Sequence, residues 1–443
     1  MTRLRTFPFL CWNLIVLPGL LTGYAQSNLR LNIARTNENN AAVTWIARSV
    51  VPTPGTKIVP DYRAEVSSNF TAWNAYGPLM RGSSAAQGKL GVVLTNFLDG
   101  DGQFVRIASI IDLQGADLIN QQLNKGDFTG ALMVGADLFG SSLQNAILDR
   151  ANLEATDLRF CDLTKASLVG ANLLGSRLVD AQLHSAILTK AIISYCDLTG
   201  ADLFGANFSH SDARFSNFSE AHLEFVDMRH MRIDTNTILP AKWDLVWHIQ
   251  NEDPHLLNLG SADFSFAFLE SADLGGTLCT NADFSAADLQ NANLVGTDFT
   301  GSNLRFIDLR GSLLDASTKI TPKSRLIWKI LNQPTTDRQL IAADLGSASL
   351  VKAQLIGADL SRANLSQSTF FFAHFDGAIL ANANLSGTDL SSTSFKKADL
   401  SGANLANAIL EDATFLEANL TNAILNGATF RNTTMPDGTI RNF

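Results

Sequence analysis

The chain has little of what most soluble domains spend on surface charge and chemistry. Only 17% of its 443 residues are charged, and it holds four cysteines, four tyrosines, seven histidines and eleven prolines. The cysteine usage excludes a disulfide framework. Cys11 lies in a leader-like segment, and Cys161, Cys196 and Cys279 are an odd, widely spaced set that reads as core filler. A basic excess is also missing. The formal charge is −9, split as +3 over residues 28–110 and −14 over residues 111–443, the reverse of what a nucleic-acid binder needs. The histidines are dispersed, and there is no Ser–His–Asp spacing, Gly-rich phosphate loop or metal motif. No catalytic, cofactor or metal site is therefore assigned, and an enzyme is not expected.

Long apolar runs are confined to the start. Arg3 and Arg5 precede the run FPFLCWNLIVLPGLL, and Gly23 and Ala25 are small residues ahead of Gln26. That is the pattern of a secretory signal over residues 1–25, cut before Gln26. An uncleaved anchor is the alternative, although Pro18 and Gly19 shorten the run below a membrane span. No later stretch is apolar enough to span, so the mature chain is expected to be exported.

What is abundant is a period of five. In CDLTGADLFGANFSHSDARFSNFSEAHLEF, residues 196–225, every fifth residue is Leu198, Leu203, Phe208, Ala213, Phe218 and Leu223. Two residues before each stands a small one, from Cys196 and Ala201 to Ala221. Helices repeat near 3.6 residues and strands near 2, so neither fits. With the apolar centre as position zero, centres run from Leu113 to Ile238, from Leu259 to Leu314 and from Leu340 to Met435. The −1 position is commonly Asp or Asn, and Gly often precedes the small side chain at −2.

These units, such as GADL and GANL, resemble the pentapeptide-repeat family, over most of residues 111–435. The resemblance implies an all-β fold, a right-handed quadrilateral parallel β-helix with four pentapeptides per 20-residue coil. Residues 20 apart then stack at the usual strand spacing. Inside, Phe375, Phe395, Phe415 and Met435 form one column, and Phe264 with Phe284 start another.

Outside, three columns carry candidates. Asp117, Asp137, Asp157, Arg177 and Asp197 share one column, where stacked carboxylates need donors, water or a cation; Arg177 is expected to pair with the Asp on either side. Arg150, Gly170, Lys190, His210 and His230 form a basic stripe, in which the two histidines lack a third metal ligand. Tyr195 and Phe215 stack one coil apart, with Phe139 and Phe160 on earlier coils and Phe371 and Phe372 as a weaker pair. Exposed paired aromatics are the usual material of a contact site. The candidate partner-contact residues are Tyr195, Phe215, Arg150, Lys190 and His210.

The period fails twice, in the same way. TILPAKWDLVWHIQN (237–251) aligns with TKITPKSRLIWKILN (318–332) at an offset of 81, with Trp247 matching Trp328. Each reads as a short amphipathic helix anchored by that Trp and lying on the solenoid wall; a projecting recognition element is the alternative. The organisation expected is a signal at 1–25, a domain at 26–110, repeats at 111–238, an insert at 239–258, repeats at 259–318, an insert at 319–339, and repeats with a cap at 340–443. Residues 26–110 contain AAVTWIA, DYRAEV, LGVVLTNF and QFVRIASII, and resemble, distantly, a fibronectin type III β-sandwich with Trp45, Tyr62 and Trp73 in its core.

A filled solenoid has flat faces and no cleft. The expected function is therefore an exported, non-enzymatic scaffold binding an unidentified macromolecule, a protein rather than a nucleic acid. The family resemblance also implies a DNA-mimicking, gyrase-binding alternative, and the sandwich suits a surface-adhesion alternative.

Overall fold

The computed structural model describes residues 113–333 and 338–442, and the backbone of six strands between residues 30 and 110. The proposed signal lies outside the described residues, as do the side chains of Trp45, Tyr62 and Trp73. Strand β1 (Arg30–Asn37) pairs antiparallel with β2 (Asn40–Ile46). Strands β3 (Asp61–Ser67), β4 (Asn74–Arg81), β5 (Leu94–Leu98) and β6 (Phe104–Ile110) form an antiparallel sheet in the order β4-β3-β6-β5. The four runs read from sequence fall on β2, β3, β5 and β6.

From residue 113 the chain turns a corner every fifth residue, and the hydrogen bonds of one pentapeptide explain its composition. The centre N–H donates to a carbonyl of the next coil, as from Leu113 to Leu132 at 2.7 Å; the +2 N–H does the same, from Gly115 to Val134 at 2.9 Å. The −2 N–H closes the corner, from Ala116 to Leu113 at 3.0 Å, and the −1 N–H reaches back a coil, from Asp137 to Ala116 at 2.9 Å. The +1 N–H has no backbone partner, and the −1 carboxylate or amide takes it: Phe139 N–H donates to Asp137 Oδ1 at 3.1 Å, and Thr129 N–H to Asp127 Oδ1 at 3.0 Å. Asp and Asn recur at −1 because they complete the donor accounting. The residue at +2 adopts φ near +60°, as at Gly115, Asn120 and Gly200, which is why Gly and Asn favour that place.

The chain divides into two compact units, residues 1–223 with 227–240, and residues 224–226 with 241–443. In the first, Leu, Phe and Met centres and Ala at −2 fill the coil interior almost without exposure. At Ser141, Thr156, Ser176 and Ser216 the −2 hydroxyl donates to a centre carbonyl of the preceding coil, as from Thr156 to Met133 at 3.0 Å. Cys161 and Cys196 occupy the same position and make the same contact, to Leu138 at 2.8 Å and Leu173 at 2.9 Å. Burial pushes both thiols up to about 12 and that of Cys279 to about 11, so all three are core filler.

The last corner of this unit departs from the expected register. Ile238 is not a centre: it pairs with Asn217 in the outward −1 column and is 52% exposed. One extra residue enters the corner at 234–237, where Asp234 Oδ1 accepts from the Thr237 hydroxyl at 3.0 Å and Thr237 N–H donates to Asp234 O at 3.0 Å. The centre thereby moves to Leu239. The same corner recurs in the second unit at 315–318, where Thr318 donates to Leu294 O at 2.8 Å and Lys319 pairs with Asp298 in the −1 column.

In the second unit both inserts contain helices of eleven residues, α1 (Ala241–Asn251) and α2 (Pro322–Asn332). Thr321 caps α2, its Oγ1 accepting from Ser324 N–H at 3.1 Å. The expected anchors are corrected. Trp247 and Trp328 are only half-buried, and the buried side chains are Trp243, Val246 and Ile249 in α1 and Ser324, Ile327 and Ile330 in α2. They are equivalent positions in the alignment of the two inserts, and their spacing of three places them along one helix face. Both helices are tied to the wall in the same way. Lys242 pairs with Asp263 at 3.2 Å and Lys323 with Asp344 at 3.0 Å, while Trp328 Nε1 donates to Ser312 O at 2.9 Å. The ladder resumes past each insert with a lengthened step, from Phe225 N–H to Phe266 O at 2.8 Å and from Phe306 N–H to Ser347 O at 3.1 Å. Two coils and the one extra corner residue account for its length.

A short turn after α1 carries a titrating clasp. His255 Nδ1 lies 2.6 Å from Asp253 Oδ1, and its Nε2 contacts Gly275 O. Both ring nitrogens face acceptors, so the protonated ring is favoured and the His255 pKa is raised, chiefly by the Asp253 hydrogen bond. The clasp contributes fully below the ordinary histidine value of about 6.5 and is lost as pH rises through the folded value. The stability advantage of wild type over His255→Ala, read as the difference in unfolding midpoints, is expected to shrink between acidic and alkaline pH. An unchanged difference would show that the imidazole is not charged in the fold.

The C-terminal coils contain the aromatic column. Phe375, Phe395 and Phe415 stack with centroids 4.9 and 5.0 Å apart and planes within 7° and 2°, all fully buried. A hairpin of β7 (Thr433–Thr434) and β8 (Ile440–Arg441) ends the solenoid, with the Arg441 guanidinium 3.7 Å above the Phe430 ring. Pro436 has no N–H to extend the ladder, but its carbonyl accepts from Glu417 N–H at 2.9 Å.

Candidate macromolecule-binding surface

All five candidate contact residues lie on two neighbouring corners of the first unit. Arg150, Lys190 and His210, with His230, occupy the +2 place in one corner column; Tyr195 and Phe215 occupy it in the next. One pentapeptide separates the two corners, so both edges bound the same face, whose middle is the paired column Asn172, Ile192, Asp212 and Arg232.

Every one of these candidates holds φ between +57° and +63°. A left-handed conformation disfavours side chains with a Cβ by roughly 1–2 kcal/mol each. Large side chains occupy corners where Gly and Asn would be easier, and they are turned into solvent. Tyr195 and Phe215 are 57% and 41% exposed; their rings stack at 4.5 Å with planes 2° apart. His210 and His230 stack at 4.5 Å on the opposite edge. Among the described residues no group of three His, Cys, Asp or Glu side chains is placed to hold a metal.

Between the edges, Asp212 organises the polar groups. Arg214 binds it through Nε at 2.8 Å and Nη2 at 2.7 Å, Ser194 donates at 3.1 Å, and Arg232 approaches at 3.4 Å. The Arg214 hydrogen bond, outweighing the cost of burial, draws its pKa down to about 2. The face is thus a fixed network with aromatic and basic borders.

The acidic column behaves otherwise than expected. Asp157 pairs with Arg159, in its own turn, through Nη2 at 2.6 Å and Nε at 2.8 Å, and not with Arg177 above it. Asp117 and Asp137 accept N–H bonds from Ile119 and Phe139, so donors from the backbone answer the stacking. The Asp-x-Arg spelling was the missed signal, recurring at Asp212–Arg214, Asp227–Arg229 and Asp308–Arg310. Sequence reasoning also missed the stack of half-buried His184 on exposed Phe204, one coil apart with ring centroids at 4.9 Å. Phe139 and Phe160 meet edge to face at 5.3 Å, with Arg159 over the Phe139 ring, and Phe371 and Phe372 are neighbours at 4.3 Å.

The model of the pentapeptide repeats matches residues 111–231, 277–315 and 339–435 in overlapping copies. The chain belongs to the pentapeptide-repeat family. Its solenoid is accordingly a right-handed β-helix. Similar solved structures include HetL of the cyanobacterium Nostoc sp. strain PCC 7120, a pentapeptide-repeat protein involved in heterocyst differentiation regulation. It is 24% identical over 73% of this chain and 92% of its own, with a TM-score of 0.21. Rfr23 of the cyanobacterium Cyanothece 51142 is 25% identical over 29% and 91%, with a TM-score of 0.18. QnrB1, a plasmid-mediated fluoroquinolone resistance protein, is 21% identical over 45% and 92%, with a TM-score of 0.17. Such loose superpositions add nothing to the fold, which rests on the repeat match and the ladder. No curated protein matches the chain.

Proposed function

We propose that this pentapeptide-repeat protein is an exported, non-enzymatic scaffold that binds another protein along the face edged by Tyr195 and Phe215. The observation that carries the reading is the exposed, parallel Tyr195–Phe215 stack on a backbone held by ladder bonds on both sides. Two aromatic rings already ordered before contact lose little conformational entropy on binding, which favours affinity. The export part rests on the leader pattern of residues 1–25, and a sandwich at residues 26–110 would suit a cell-surface setting. The gyrase-binding alternative is disfavoured by an edge built of aromatic and basic side chains, and by carboxylates engaged in internal hydrogen bonds.

The test places a photocrosslinking residue at Ile192, mid-face and exposed, in the full-length gene. A discrete protein adduct is expected in the extracytoplasmic fraction, on a chain beginning at Gln26. Tyr195→Ser with Phe215→Ser should abolish that adduct while leaving the unfolding midpoint close to wild type. The same adduct from a crosslinker at Asn384, or its survival in the double variant, overturns the contact reading. A cytoplasmic chain retaining Met1 overturns export.

A further inference from the structure

The basic corner is a separate edge from the aromatic one, and the hydrogen bonds around it are informative. The nearby carboxylates are occupied. Asp149 accepts from Ser167 Oγ at 2.5 Å and Val169 N–H at 3.0 Å, Asp212 is held by Arg214, and Asp227 is held by Arg229 at 2.8 Å. The cations of the corner are not: among the described residues Arg150 and Lys190 form no ion pair, and both are exposed. Gly170 between them continues the stripe. A Cβ there would lie 3.6 Å from Arg150 Cγ, so the arginine stem passes beside the space that a side chain at 170 would fill. Past Lys190 the column continues through the stacked His210 and His230, and Arg232 follows with 63% of its side chain exposed.

The result is a line of cationic and imidazole groups parallel to the coil axis. The places fall one coil apart, ~4.8 Å, with the second left empty by Gly170, and the line is about 19 Å long from Arg150 to His230. We propose that this corner binds a linear carboxylated polysaccharide lying along the solenoid. An extended polyuronate in a two-fold conformation turns the carboxylates of alternate sugars to one side, a repeat of about two coils that suits the step from Arg150 to Lys190 and on to His230. An acidic peptide in extended form presents same-side carboxylates every ~6.6–6.8 Å and falls out of step by the second coil.

The experiment measures binding of polygalacturonate oligomers to the full chain by calorimetry at low salt, with polyglutamate of equal charge in parallel. Polygalacturonate should bind wild type and weaken as salt rises. Arg150→Gln with Lys190→Gln should weaken it by roughly tenfold or more, since two charge-assisted contacts are lost. Lys165→Gln, at a +2 position on a different corner, should leave it unchanged; unfolding midpoints verify that each variant is folded. Polyglutamate binding as tight as polygalacturonate would assign the stripe to acidic peptides and overturn the proposal. An equal loss in Lys165→Gln would reduce it to diffuse charge, and no binding by wild type would end it.

Discussion

Phe395→Ala is expected to lower stability by roughly 3–5 kcal/mol, the range for deleting a buried aromatic side chain. Phe395 is fully buried and stacked on both sides, against Phe375 at 4.9 Å and Phe415 at 5.0 Å. Ladder bonds hold these coils at a fixed spacing, such as Phe395 N–H to Thr414 O at 2.8 Å, so the wall cannot collapse into the vacated space. Asn384→Ala is the comparison. Its side chain accepts from Ser386 N–H at 3.2 Å and joins a weak outward amide ladder with Asn364 and Asn404 at 3.5 and 3.3 Å. Its loss should cost about 1 kcal/mol, the net worth of an ordinary hydrogen bond. Chemical unfolding monitored by far-ultraviolet circular dichroism gives both values. Equal effects would mean that Phe395 does not lie in a filled interior.

Trp243→Ala should be the second large loss, again about 3–5 kcal/mol. Trp243 is 6% exposed and packs on the buried side of α1 with Val246 and Ile249, with the Lys242 ammonium 4.7 Å from its ring centre. Trp247→Ala, one turn along, removes a half-buried ring and should cost distinctly less. Single-tryptophan variants separate the two by fluorescence, since a Trp243 emitter should lie to the blue of a Trp247 emitter and resist quenching more. The reverse order, in stability and in emission, would mean that α1 is rotated on the wall and that its sequence partner Trp328 anchors α2.

The legibility of the fold differed from residue to residue for definite reasons. Phe375, Phe395 and Phe415 could be stacked from their spacing once the family resemblance supplied the coil of four pentapeptides, which leaves no freedom in what lies above what. The same logic brought Tyr195 over Phe215 and His210 over His230. It failed at Ile238, where an apolar residue in step with the period is turned outward by one extra corner residue. Thr235 and Asn236 in that corner look like any variable pair, and the recurring Asp-x-x-Thr of 234–237 and 315–318 was the available signal. The choice between Trp243 and Trp247 was equally hidden. A short helix with tryptophans one turn apart can bury either, and Ser324 opposite Trp243 in the alignment made that position look polar.

By itself the sequence determined the period, and with the coil of four pentapeptides that the family resemblance implies it also placed the interior columns and the membership of two corners, because a repeat maps linear spacing directly onto space. It also determined that pentapeptides with Asp or Asn at −1 can meet the +1 N–H within their own turn, as at Asp127 and Asp137. Only the tertiary structure decided which charges remain available. Asp157 and Asp212 are consumed by arginines of their own turns, whereas Arg150 and Lys190 form no ion pair among the described residues, and side-chain reach within a turn settles that. Tertiary packing likewise decided which face of each inserted helix is buried, since an eleven-residue helix is too short to choose its own orientation without a wall to lie on.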